Sequence, residues 1–188
     1  VEEGCEYCVM EASSHSLELN RVYGCNFEVG IFTNITRDHI DFHKTFDNYY
    51  NAKFKLFERS KTCVINVDDN YGYRIINDLK GLDKNVTTYS IKEESDLRAY
   101  DIKLEEQDII FNVNNVEYKL VLPGEYNIYN ALGCIGAAKA LGIDDESIKK
   151  GLLDVVVPGR CERIGQKYNL PYEIVIDFAH TPDGLKNI

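Results

Sequence analysis

The densest run of chemistry-bearing side chains is Thr33-Asn-Ile-Thr-Arg-Asp-His-Ile-Asp-Phe-His43. It follows a strand-like stretch and precedes a helical one, and in open α/β sheets ligands gather at the carboxyl ends of strands. Asp38, His39, Asp41 and His43 fall within six residues and could ligate a divalent metal. The same run also reads as a polar loop whose side chains cap the next helix. A second polar run, Glu11-Ala-Ser-Ser-His-Ser16, also follows a strand-like stretch, so its groups should emerge at the same sheet edge. Its neighbouring Ser and His lack a Gly-x-Ser-x-Gly elbow, which argues against a serine hydrolase.

The helical stretch after His43 carries a lysine in an unusual place. At about 100° per residue, Phe46, Tyr49, Tyr50, Phe54, Leu56 and Phe57 share one arc, with Lys53 in its middle. Lysine is rarely buried without a partner. Lys53 therefore either snorkels to the rim or sits in a polar pocket where burial depresses its pKa and leaves a nucleophilic amine. Arg21, Arg37 and Arg160 are candidate anion binders, because guanidinium pairs bidentately with phosphate or carboxylate. A third polar run, Asp177-Phe-Ala-His-Thr-Pro-Asp183, closes another strand-like stretch.

The elements that must position these groups alternate strand and helix, the pattern of a parallel sheet covered by helices. Strands are expected at Tyr7 to Glu11, Val29 to Asn34, Thr62 to Val67 and Val86 to Ile91. Helices are expected at Thr45 to Arg59, opened by Thr45 as N-cap, and at Tyr71 to Leu79 after the capping run Asp68-Asp69-Asn70. The character changes at Leu97. Ile102 to Leu104, Ile109 to Val113 and Val116 to Leu122 alternate around an Asn114-Asn115 turn and predict an antiparallel hairpin region. Asn127 to Leu141 reads as an Ala- and Gly-rich helix ended by Gly142, followed by a helix from Asp145 to Leu153 and a strand from Glu173 to Phe178. A boundary is expected near Pro158, giving a first domain over 1–157 and the start of a second over 158–188.

The chain has 188 residues, 44% hydrophobic and 28% charged, enough for one domain or one and part of another. That balance excludes disordered and fibrous classes. The formal net charge of -10 repels a phosphate backbone, so nucleic acid is not an expected partner. No apolar run reaches the roughly 18–20 residues of a membrane span, no signal peptide opens the sequence, and a cytoplasmic monomer is expected. The first residue is Val1 and the single methionine is Met10, so the sequence reads as a piece of something longer. The six cysteines are scattered and are expected as reduced core thiols. Cys5 and Cys8 form one CxxC with no second pair to complete a zinc site.

Together the segments resemble the Mur ligase family of bacterial cell-wall synthesis, closest to the branch that adds the third residue of the peptide stem. The resemblance rests on Met10-Glu-Ala-Ser-Ser-His-Ser-Leu, Phe32-Thr-Asn-Ile-Thr-Arg-Asp-His-Ile-Asp-Phe-His, Ala52-Lys53 with Leu56-Phe57, Tyr126-Asn-Ile-Tyr-Asn-Ala, Pro158-Gly-Arg-Cys-Glu and Asp177-Phe-Ala-His-Thr-Pro-Asp. It implies a central ATPase domain followed by a Rossmann-like one, and an ATP-dependent amide ligase. That ligase joins a diamino acid to UDP-N-acetylmuramoyl-L-alanyl-D-glutamate through an acyl phosphate. It further implies Glu11, His39 and a carbamylated Lys53 at Mg²⁺, with Lys53 and His39 catalytic. Ser13 and Arg21 would contact the UDP substrate, and Asn127, Asn130, Arg160, Asp177 and His180 the ATP pocket. Neither the Gly-x-x-x-x-Gly-Lys-[Ser/Thr] phosphate loop nor the Asp-Asn-Pro-Arg segment of this branch occurs in the sequence. The resemblance places the first before Val1 and the second beyond Ile188. The segment alone is therefore expected to be inactive, with the identity of the added diamino acid open. Two other readings remain: a metal-dependent hydrolase built on Asp38, His39, Asp41 and His43, and a non-catalytic nucleotide-binding relic.

Overall fold

Alternation along one strand sets up the layers. In β2 (Ser60–Asn66), Cys63 and Ile65 enter one hydrophobic cluster while Val64, between them, enters another, as the two-residue strand period requires. β2 pairs in parallel with β1 (Phe27–Phe32) and β3 (Asn85–Ser90), and β3 pairs in parallel with the short β4 (Leu97–Arg98). The sheet order is β1-β2-β3-β4. The computed structural model describes residues 4–36, 39–105, 108–165, 168, 171–179 and 185.

On the Cys63 and Ile65 face lie α3 (Phe46–Glu58) and α4 (Asn70–Asp78), contributing Tyr49, Tyr50, Phe57 and Ile75 to the core. Thr45 opens α3 by accepting a hydrogen bond from the Asn48 amide, and Asp69 opens α4 by accepting one from Tyr71. On the Val64 face lies α5 (Tyr126–Ala140), which buries Ile128, Leu132 and Ile135 completely. Gly136 permits the close approach, since a Cβ there would stand 2.6 Å from Val64 Cγ1. The same cluster extends into the antiparallel sheet β5-β6-β7 (Tyr100–Leu104, Ile109–Val113, Val116–Leu120) and into α6 (Asp145–Leu153). Asn114 and Asn115 make the β6–β7 turn, both at positive φ, the backbone that a tight hairpin turn needs and that Asn tolerates. Gly142, at φ 76°, ends α5 as expected.

Several sequence expectations change. Tyr7 to Glu11 is not a strand: the stretch is irregular and exposed, with Val9 97% accessible. An apolar run becomes a strand only when a ladder and a core face stabilise it, and this one lies outside both clusters. β1 runs two residues earlier than Val29 to Asn34, which frees Thr33 and Asn34 for the loop. Leu97 and Arg98 join the parallel sheet, so the antiparallel region begins at Tyr100. Only Cys63 is buried among the six cysteines, all of them free thiols, so the core-thiol expectation holds there alone; sequence neighbours that are apolar do not ensure cover in space. Unforeseen are α1 (Ser14–Glu18), the four-residue α2 (Ile40–His43), and β8 (Glu162–Ile164), which pairs antiparallel with β9 (Ile174–Ile176). Among the described residues no helix is long and apolar enough to cross a membrane.

Candidate functional site

A cleft of about 850 Å³ opens where the carboxyl ends of β1 and β2 meet the first turns of α5. Four of the five residues expected at the ATP pocket line it: Asn127, Asn130, Arg160 and Asp177. His180 lies outside the described residues, as do Arg37 and Asp38. Asn127 and Asn130 are three apart, so one helical face delivers both. The Asn130 amide donates to Asn127 Oδ1 at 3.1 Å, and Asn127 Nδ2 donates to the Pro123 carbonyl at 2.6 Å. On the facing segment, Asp177 accepts from the amides of Cys161 (2.8 Å) and Ala179 (2.7 Å), which hold its carboxyl below the usual carboxylate range. The Arg160 guanidinium lies 5.0 Å over the Phe178 ring. Its lining mixes polar groups such as Thr33, Asn34 and Thr36 with apolar ones such as Leu120, Leu122 and Val155. Such a cavity suits a ligand with an apolar ring system and an anionic tail.

The β1 and β2 ends are pinned to one another. Asn66 Nδ2 donates to the Thr33 carbonyl at 2.7 Å, the Ile35 amide donates to Asp69 at 3.2 Å, and the Tyr89 hydroxyl donates to the Phe32 carbonyl at 2.9 Å. Gly72 permits this, because a Cβ there would stand 1.9 Å from the Asn66 carbonyl oxygen. Asn66, Asp68, Tyr126 and Tyr129 line the cleft without having been singled out as site residues. The available signal was position: polar residues just past the carboxyl end of an apolar strand.

The residues expected at metal and UDP substrate lie outside the lining of the cleft. His39 is exposed at φ 57°, and its ring meets the rings of His15 (4.8 Å) and Tyr49 (6.1 Å) edge-on. Lys53 is half-buried, with Nζ 5.6 Å from the centroid of the same Tyr49 ring. Tyr49 thus neighbours both His39 and Lys53. Glu11 and Arg21 are exposed, and Ser13 caps α1 by accepting from the Ser16 amide. His43, by contrast, is 4% exposed, hydrogen-bonds Ser14 Oγ at 2.9 Å and stacks on Tyr49 at 5.2 Å. Burial, and then His15 beside it, pushes its pKa down. Among the described residues no three His, Cys, Asp or Glu side chains converge as a metal cage. Of the hydrolase set Asp38, His39, Asp41 and His43, Asp38 lies outside the described residues; among the described ones no metal group forms, and His43 is taken up by its hydrogen bond to Ser14 and its stacking on Tyr49.

Comparison with known proteins follows the same lines. The family model of the Mur ligase middle domain matches residues 1–138. The chain is 60% identical, over its whole length, to the UDP-N-acetylmuramoyl-L-alanyl-D-glutamate--2,6-diaminopimelate ligase of Clostridium perfringens, and 52% identical to that of Clostridium tetani. It covers 40% and 39% of those two proteins. A solved UDP-N-acetylmuramoyl-L-alanyl-D-glutamate--2,6-diaminopimelate ligase superposes with a TM-score of 0.81 at 29% identity, over 98% of this chain and 39% of that one.

Proposed function

The chain belongs to the Mur ligase family, and from that premise we propose that it is the nucleotide-binding centre of an ATP-dependent amide ligase. Its substrates would be UDP-N-acetylmuramoyl-L-alanyl-D-glutamate and 2,6-diaminopimelate, those in the names of its relatives. Residues 1–157 form the central domain in this reading and 158–188 the beginning of the next, in a cytoplasmic monomer. One observation carries it: Asn127 and Asn130 from α5, and Arg160 and Asp177 from a distant segment, meet in a single cleft.

The roles follow from the chemistry of the side chains. A carboxylate oxygen of the glutamyl substrate attacks the γ-phosphorus of ATP, ADP leaves, and the amine of the diamino acid then displaces phosphate from the acyl carbon. Asn127 and Asn130 offer amide donors and acceptors to the nucleotide, and Arg160 offers a cation to its phosphates. Asp177 holds the Arg160–Cys161 segment against the cleft through the Cys161 amide. The exposed Glu11 and His39, with Lys53 as its carbamate, would hold Mg²⁺. That donor set fits an ion that keeps several waters and needs only one or two carboxylates plus substrate phosphates, rather than a closed cage. Bound there, Mg²⁺ neutralises the charge that gathers on the transferring phosphoryl group.

The test is ATP affinity and product formation in the complete ligase. Asn130→Ala is expected to weaken ATP binding about tenfold, the scale of losing one to two hydrogen bonds. Wild-type enzyme is expected to yield ADP and the diaminopimelate-containing product in equal amounts. Unchanged ATP affinity in Asn130→Ala would remove the nucleotide assignment, and ATP binding without turnover would turn the reading into that of a relic.

A further inference from the structure

Asp68, two residues past the end of β2, is a heavily engaged carboxylate at the cleft. Its Oδ2 accepts from the amides of Ile91 (2.7 Å) and Lys92 (3.0 Å), and its Oδ1 from that of Glu93 (3.0 Å). The Tyr129 hydroxyl donates to Oδ2 at 2.9 Å. The Asp68 amide in turn donates to Asn66 Oδ1, and Asn66 holds the Thr33 carbonyl. A continuous set of hydrogen bonds therefore runs from the end of β1, through Asn66 and Asp68, to α5.

It reaches α5 at a sensitive point. Tyr129 lies between Asn127 and Asn130, in the helical turn that supplies both asparagines to the cleft. Ile128, Leu132 and Ile135 pack α5 into the core, in a cluster that Tyr129 also borders, and the Tyr129–Asp68 hydrogen bond adds a directional constraint at the turn that carries the asparagines. With side chains reaching about 5–6 Å from the axis, a rotation of about 10° moves an asparagine amide by about 1 Å, enough to spoil a hydrogen bond of ordinary geometry. A charge-assisted hydrogen bond on the cleft side opposes that rotation directly.

We infer that Asp68 and Tyr129 are positioning residues that set the rotation of α5, and so nucleotide affinity, through Asn127 and Asn130. The inference rests on the nucleotide reading of the cleft. Its test uses the complete ligase with Tyr129→Phe, Asp68→Asn, the double variant and, as reference, Asn130→Ala. ATP affinity is read by calorimetry, kcat and KM by steady-state assay, and folding by thermal unfolding.

Tyr129→Phe keeps the ring and loses only the hydroxyl. It should raise the ATP Kd and KM about five- to tenfold, a fraction of what a charged hydrogen bond can contribute, with kcat and the KM for the UDP substrate within about twofold. Asp68→Asn should do at least as much, and the double variant no more than Asp68→Asn. Unchanged ATP affinity in Tyr129→Phe, whatever its unfolding temperature, would overturn the inference; so would independent, additive losses in the double variant. If Asp68→Asn fails to fold, Tyr129→Phe decides alone. If Asn130→Ala leaves ATP affinity intact, the nucleotide reading itself fails; if Asn130→Ala weakens binding and Tyr129→Phe does not, only the positioning role fails.

Discussion

Around Asp68 the chain itself satisfies the carboxylate, with three loop amides and the Tyr129 hydroxyl, whereas Glu11 and His39, in other loops of the chain, stand exposed. Asp68 follows the carboxyl end of β2 and His39 that of β1, while Glu11 closes an irregular segment. The first is a scaffold: its charge is spent inside the protein, and burial, which alone would raise the Asp68 pKa, is outweighed by the hydrogen bonds that lower it. The second is left open toward solvent, as the proposed ligands of a hydrated ion must be. The contrast teaches that a carboxylate at a strand end is no sign of catalysis until its hydrogen bonds are counted.

The sharpest break of that contrast is at Lys53. Lys53→Ala in the complete ligase should lower kcat by about 10³-fold, the scale of removing one preorganised charge-stabilising group, and added acetate or formate should restore part of it as a surrogate carboxylate. Near-normal turnover in CO₂-free buffer would place Lys53 with the scaffold instead. Next comes the histidine pair. His43→Ala should lower stability by about 2–3 kcal/mol, from a buried cavity and an unpaired Ser14 hydroxyl, with weaker effects on Mg²⁺ dependence. His39→Ala should leave unfolding nearly unchanged and raise the Mg²⁺ needed for activity. Urea melts and Mg²⁺ titrations of both variants would separate the roles, and the reverse pattern would exchange them.

The scaffold has a pH signature. With the folded pKa of Asp68 below its unfolded value, its stabilisation is fully present above the unfolded pKa, near 4. It is lost as the pH falls through the lower folded value. The stability gap between wild type and Asp68→Asn, of about 1–2 kcal/mol at pH 7, should therefore shrink as the pH falls below about 4; a gap that stays constant would mean the carboxylate charge contributes nothing. The smallest effect expected is at the cap of α3, the helix that carries Lys53. Thr45→Ala should cost about 1 kcal/mol, read by thermal unfolding, and activity should be lost only as the helix frays.

Periodicity and capping chemistry made most elements readable in advance. The Thr45 and Asp69 caps, the Asn114-Asn115 turn and the Gly142 stop each depend on residues within a few positions, so the local sequence contains the whole cause. Motif resemblance grouped Asn127, Asn130, Arg160 and Asp177, and the fold places all four in the lining of one cleft. What local sequence could not contain was pairing and burial between distant segments. Tyr7 to Glu11 has the composition of a strand and forms none, because nothing among the described residues gives it a ladder. His39 and His43 are the same residue type four positions apart, yet one is exposed and the other closed against Ser14, 29 residues earlier in the chain. Asp68 read as part of the capping run Asp68-Asp69-Asn70; Asp69 alone caps α4, and tertiary structure made Asp68 the tie to Tyr129, 61 residues away. Type and spacing fix what a side chain can do, and only the fold decides which partner reaches it first, because hydrogen bonds and burial act over a few ångströms whatever the separation along the chain.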